Sequence, residues 1–156
     1  MKTTEVQATS TALLDAFKPI SGQSTDKDLT RLRRVALSAL MPIPYDREKG
    51  KHSLLGLLLN DDEYCARHKG VEFPSDAVTR PLIYDDTIKA NATTGVWAQA
   101  EAIHQAKFDN WKFFDCAQRE VRNFIAHSVE DTWIRELRDS RTGYVLIPPR
   151  DIMDNL

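Results

Sequence analysis

Cysteine is scarce in this chain of 156 residues, which holds only Cys65 and Cys116. The two are far apart and sit in helix-like surroundings. That spacing excludes a disulfide framework and points to reduced thiols in an intracellular protein. Long apolar runs are also missing. No stretch approaches the about 20 residues of a membrane span, and the opening MKTTEVQATSTALLDAF lacks the apolar core of a signal peptide. The expected location is cytoplasmic, with no membrane partner. Basic excess is absent too, since 21 Lys and Arg stand against 23 Asp and Glu for a net charge of -2. A dedicated nucleic-acid binder draws its affinity from phosphate neutralisation and shows a clear basic surplus. No G-x-S-x-G, P-loop or G-x-G-x-x-G motif occurs. The expectation is a protein without catalytic residues, metal ligands or cofactor.

What is present suits an ordinary globular protein: 42% apolar residues can build a core, and 28% charged residues can solvate its surface. The length fits one compact domain. Residues 1–24 read as a flexible lead, polar and Thr-rich, in which Leu13, Leu14 and Phe17 form a small cluster able to dock on the domain or a partner. Residues 25–156 read as the helical domain. Thr25 is placed to cap a helix, with Asp28 three residues on as its capping-box acid. Leu29, Leu32, Val35, Ala36, Ala39 and Leu40 follow at helical spacing, and Pro42 and Pro44 stop the helix near Met41. PYDREKGKH reads as an exposed turn. SLLGLLLNDDEYCARHKG predicts two apolar helical turns and then a polar helix, capped by Asn60, Asp61 or Asp62 and ended by Gly70. Gly56 inside it implies close approach of a neighbouring backbone.

Residues 71–93 carry two prolines and predict a long connection of extended character. From Val96 to about Arg138 no proline or glycine interrupts an apolar pattern at steps of three and four. Such a span exceeds a usual globular helix. A kink or restart is expected near Ser128, where Ser128 and Asp131 resemble a second capping box. Gly143 ends the helical run, YVLIPP reads as extended, and Pro149 starts a last short helix. The predicted fold is mainly α: a single-domain bundle of about five helices with one long kinked helix and a long irregular connection.

The polar clusters read as surface chemistry. In NFIAHSVEDTWIRELRD, Val121, Ile125, Val129, Trp133 and Leu137 fall on one stripe and His127, Asp131, Arg135 and Arg138 on the other side. Asp131 and Arg135 form an i,i+4 pair. NDDEY lacks EF-hand spacing, and its acids suit a helix start. CARH gives Cys65 and His68 the spacing of half a zinc site, and no second pair exists. Asp85 and Asp86 read as loop acids. Arg31, Arg33 and Arg34 form a basic group that could touch phosphates. Aromatics cluster in the long helix, and Trp97, Phe108, Trp111, Phe113 and Trp133 are the candidate self-association residues. An aromatic on each face suits a helix held between its own domain and a neighbour.

Four phrases carry a resemblance: FKPISGQSTDKDLTRLRRVALSALMPIPYD, HSLLGLLLNDDEYCARHKGVEFPS, AEAIHQAKFDNWKFFDCAQREVRNFIAHSVEDTWIRELRD and PPRDIMDNL. Together, from about Phe17 to the end, the chain resembles the Gag-like proteins of copia-type LTR retrotransposons. The resemblance implies a structural protein of the capsid region. Such a protein self-associates, as a homo-oligomer, into the particle that packages element RNA. It also implies a portion of a longer Gag. The chain departs from the C-x2-C-x4-H-x4-C zinc knuckle that many Gags use for RNA, so RNA contact falls to other parts of that Gag. Two other readings stand beside it. One is a helical adaptor that binds another protein through 71–93 or ALLDAF. The other is a metal-dependent hydrolase using Asp61, Asp62, His127 and Asp131.

Overall fold

Thr25 opens the most sharply specified helix of the chain. In the computed structural model, which describes residues 2–43, 53–73, 80–81 and 93–156, its hydroxyl accepts the Asp28 N–H at 3.3 Å while Asp28 Oδ2 accepts the Thr25 N–H at 3.1 Å. The capping box predicted from sequence is thus formed, and it satisfies two donors that the helix itself cannot. The helix, here α2, spans Asp26–Leu40 and buries Leu32, Ala36 and Leu40, four residues apart on one face. It stops at Met41 as expected.

The segment read as a flexible lead contains a helix, α1, Lys2–Ala16. It has almost no amphipathic pattern, which is why periodicity does not reveal it. The Thr9 and Thr11 hydroxyls fold back onto the Glu5 and Gln7 carbonyls, four residues earlier, and do not compete for caps. Val6 and Ser10 are buried, and Phe17 follows them into the core. Phe17 meets Phe124 edge to face, with centroids 5.5 Å apart.

Beyond Met41 the chain returns through Leu54, whose N–H bonds to the Ile43 carbonyl at 3.2 Å. The expected two turns of apolar helix are only a 3₁₀ turn, Leu54–Leu57. Leu54, Leu55, Leu57, Leu58 and Leu59 are all buried. Five leucines that all need burial have no solvent side, so a regular amphipathic helix does not fit them. Gly56 does face a close neighbour, but it is the Phe73 ring and not a backbone; a Cβ there would overlap the ring. Asn60 then caps α3, Asp61–Arg67, by accepting the Glu63 N–H at 2.8 Å. The helix closes with Lys69 at φ 55° and Gly70 at φ 83°, and the Gly70 N–H reaches the Cys65 carbonyl at 2.8 Å.

The long helix, α4, is Thr94–Ser128. The restart expected near Ser128 is there: α5, Asp131–Ile134, follows after a two-residue break and runs into a 3₁₀ turn, Arg135–Leu137. The second capping box is not formed. The buried Ser128 hydroxyl bonds back to the Phe124 carbonyl at 2.6 Å, and Glu130, at the N-cap of α5, makes no side-chain cap. The break also shifts the helical phase, so Ile134 is buried and Trp133 turns outward. YVLIPP, expected to be extended, is a series of turns instead. Val145 N–H bonds to Thr142 O, Ile147 N–H bonds to Tyr144 O, and Val145 and Leu146 stay exposed. Pro149 opens the last helix, α6, Pro149–Asp154, as predicted.

By compactness the chain divides into Met1–Phe73 with Cys116–Leu156, and Pro74–Asp115. The described part of the first unit holds α1, α2, α3, the C-terminal end of α4, α5 and α6. The second contains the N-terminal two thirds of α4. No β-strand forms among the described residues, which are mainly helical. No helix among them is long and apolar enough to cross a membrane. The 44–52 turn, most of the 71–93 connection and the Asp85–Asp86 pair lie outside the described residues.

Two substitutions probe these contacts. Ser10 Oγ is buried without a hydrogen-bond partner among the described residues, beside an apolar cavity of about 30 Å³ lined by Leu13, Leu40 and Phe124 among others. Removing that hydroxyl in Ser10→Ala should raise stability by about 1 kcal/mol in urea unfolding. Thr25→Ala should lower stability by about 1 kcal/mol in the same assay at neutral pH. The Asp28 carboxyl is held below its ordinary 3.8 first by the Thr25 hydroxyl and then by the Thr25 N–H. A depressed carboxyl stabilises the fold above its unfolded value and loses that contribution as pH falls through the lowered one. The gap between wild type and Thr25→Ala should therefore narrow as the pH drops below 3.8, leaving only the share of the Asp28 N–H bond to the Thr25 hydroxyl.

Candidate functional site

At 100° per residue, the N-terminal two thirds of α4 presents two apolar stripes about 120° apart around its axis. The first is aromatic: Trp97, His104, Phe108 and Trp111, all half-buried. Phe108 lies between His104, at a centroid distance of 6.5 Å, and Trp111, at 5.5 Å. Two cations sit on this stripe: Lys112 Nζ lies 4.6 Å from the Phe108 centroid and the Arg80 guanidinium 5.4 Å from that of Trp111. The second stripe is aliphatic: Val96, Ile103 and Ala106, all exposed, with Gln99 and Lys107 beside them. Val96 is 56% exposed and Ile103 is 52% exposed. From Thr94 to Lys112 no residue of the helix is buried.

The helix changes character at Phe113. From there Phe113, Phe114, Cys116, Ala117, Val121, Phe124 and Ile125 are all buried. Of the five aromatic candidates read from sequence, Trp97, Phe108 and Trp111 share one face of α4. Phe113, only 3% exposed, is core and cannot meet a partner. Trp133 lies elsewhere, 39% exposed, and its indole N–H donates to the Gly22 carbonyl at 3.3 Å. Glu130 Oε1 accepts the Gly22 N–H at 2.5 Å, so both residues hold the loop between α1 and α2. The sequence pattern merges Val96 and Ile103 with the aromatics; only the helical angle separates them into a second stripe.

The basic group also divides. Arg31 stacks on the Phe17 ring, 5.0 Å from its centroid, while Arg33 pairs with Glu63 at 3.3 Å. Arg33 and Arg34 line an open recess together with Arg67 of α3. Sequence spacing does not reveal Arg67, because it arrives from another helix.

Of the four residues considered for hydrolysis, Asp61, Asp131 and His127 each serve a separate partner. Asp61 meets Arg150 at 3.3 Å, and Asp131 accepts the Tyr144 hydroxyl at 3.0 Å. Burial, and then that hydrogen bond to Asp131, pushes the Tyr144 phenol above its ordinary value. His127 is exposed and its Nδ1 lies 2.7 Å from the Asn123 carbonyl. Asp139 Oδ1 accepts the Arg141 and Thr142 N–H groups in a tight turn, which holds its carboxyl low. His68 is stacked on Tyr64, with ring centroids 4.0 Å apart. Its Nδ1 donates to the Tyr64 carbonyl, which leaves Nε2 to accept the Ser53 hydroxyl at 3.0 Å in the neutral ring. The Cys65–His68 pair is therefore part of a packed aromatic corner, where burial raises the Tyr64 phenol. Among the described residues, no three His, Cys, Asp or Glu side chains come together to hold a metal ion.

The contrast along α4 is measurable. Phe113→Ala should cost about 3–5 kcal/mol in chemical unfolding, as a buried aromatic does. Ile103→Asp should change stability by no more than about 0.5 kcal/mol, as a solvent-facing position does. Compared with known proteins, the chain matches no family model, no curated protein and no solved structure.

Proposed function

We propose that this chain is a structural, self-associating helical protein of the Gag-like capsid kind, without catalysis of its own. One observation carries the reading. From Thr94 to Lys112, just over half of its length, α4 has no buried residue and keeps an aliphatic stripe, Val96, Ile103 and Ala106, facing solvent. Apolar surface arrayed along a regular helix is the usual form of a helix-in-interface contact. A second copy of the chain supplies the same stripe, so a two-fold pair buries both at once. On this reading the cytoplasmic particle is built from such pairs, and packaging of element RNA rests with other parts of a longer Gag.

The rival adaptor reading differs in stoichiometry. An adaptor stays monomeric and captures an unrelated chain. Light scattering across a concentration series should show wild type passing from monomer to oligomer. Ile103→Asp, which leaves the fold intact, should hold the protein as a monomer over the same range. A wild-type protein that stays monomeric at the highest concentration overturns the proposal, as does an oligomer indifferent to Ile103→Asp.

A further inference from the structure

Between α2 and α3 the surface opens into a recess of about 500 Å³. Arg33 and Arg34 reach it from α2 and Arg67 from the last turn of α3. Its apolar wall is Leu37, Leu55, which is buried, and Met41, which is 62% exposed. The Thr30 and Ser38 side chains complete the lining. Three guanidinium groups around one concavity repel each other unless an anion joins them. Glu63 neutralises part of this charge through Arg33. Arg34 and Arg67 have no carboxylate partner among the described residues. Other arginines are already engaged: Arg31 with Phe17, Arg119 with Glu120, and Arg150 with Asp61.

We infer that this recess is a phosphate-binding site for a nucleotide-sized ligand. The arginine fork matches phosphate oxygens two at a time, which gives direction as well as charge. The volume falls within the range of small-ligand pockets, about 300–1,000 Å³. The exposed Met41 thioether offers a soft flat contact for a planar ring attached to the phosphates. The Ser38 hydroxyl can meet a further oxygen, while that of Thr30 already donates to the Asp26 carbonyl at 2.7 Å. The chain as a whole is close to neutral, so this is a local concentration of charge within a balanced surface. The site does not depend on the self-association reading, because its residues lie on α2, the 3₁₀ turn and α3 and not on the exposed part of α4.

Titration calorimetry of the full chain with adenosine triphosphate, inorganic triphosphate and a short single-stranded RNA tests the inference. Adenosine triphosphate should bind with a Kd at or below about 1 mM, more weakly as salt rises. The Arg34→Gln/Arg67→Gln double variant should weaken it at least about tenfold, while its circular dichroism stays that of wild type. Glu63→Gln should act in the opposite direction and tighten binding, because it releases Arg33, an outcome that misfolding cannot produce. Inorganic triphosphate binding at the same site supports the phosphate contact, and the loss relative to adenosine triphosphate measures the ring against Met41. RNA that binds through the same arginines identifies the phosphodiester as the source and keeps the phosphate site. Absence of adenosine triphosphate binding at concentrations well above about 1 mM overturns the inference. So does binding that neither variant alters.

Discussion

Phe124 is the point on which the first unit closes. Its ring takes the edge of Phe17 at 5.5 Å and lines the cavity beneath α1, and its carbonyl accepts the Ser128 hydroxyl. The Phe17 contact joins residues more than a hundred positions apart. Such pairing draws its stability from buried aromatic surface and not from local propensity. The loop after Phe17 is secured alongside: Ile20 N–H bonds to the Ser128 carbonyl at 2.9 Å, and Gly22 is held by Glu130 and Trp133. The break after Ser128 gives this arrangement its geometry. A continuous helix would carry Trp133 inward and Ile134 outward.

Short-range chemistry is the part of this fold that the sequence displays. Thr25 with Asp28, Asn60, Gly70 and Pro149 each act within a few residues, and each does what its spacing says. The mainly helical class follows from the same periodicities. What stays hidden depends on distant partners. Ser128 has the spacing of a cap, yet burial leaves its hydroxyl only the carbonyl four residues back. α1 is Thr-rich and unpatterned, and its helical state rests on docking through Val6 and Phe17. The five leucines from Leu54 to Leu59 read as helix because they are apolar, but burial on every side removes the asymmetry that a regular helix would use.

The candidate surfaces show the same division. The aromatic run of α4 was legible, and Trp97, Phe108 and Trp111 do share a face. Phe113 went inside because the helix enters the core at that residue, a boundary set by tertiary packing. Arg33 and Arg34 were legible as a basic pair. Their recess was not, since Arg67 joins them only through the packing of α3 beside α2. The acids at Asp61 and Asp131, which looked like possible ligands, are each drawn to a separate partner, Arg150 and Tyr144.

The unpartnered Ser10 hydroxyl has a consequence for how this molecule breathes. α1 brings a polar group into an apolar seat and has little amphipathic pattern to hold it there. Local opening in proteins starts where few favourable terms oppose it. Lifting the first helix would bare Leu40 and Phe124 while α2 and α3 keep their own caps. The N-terminal end works as a clasp whose release exposes fresh greasy surface without dissolving the frame beneath it.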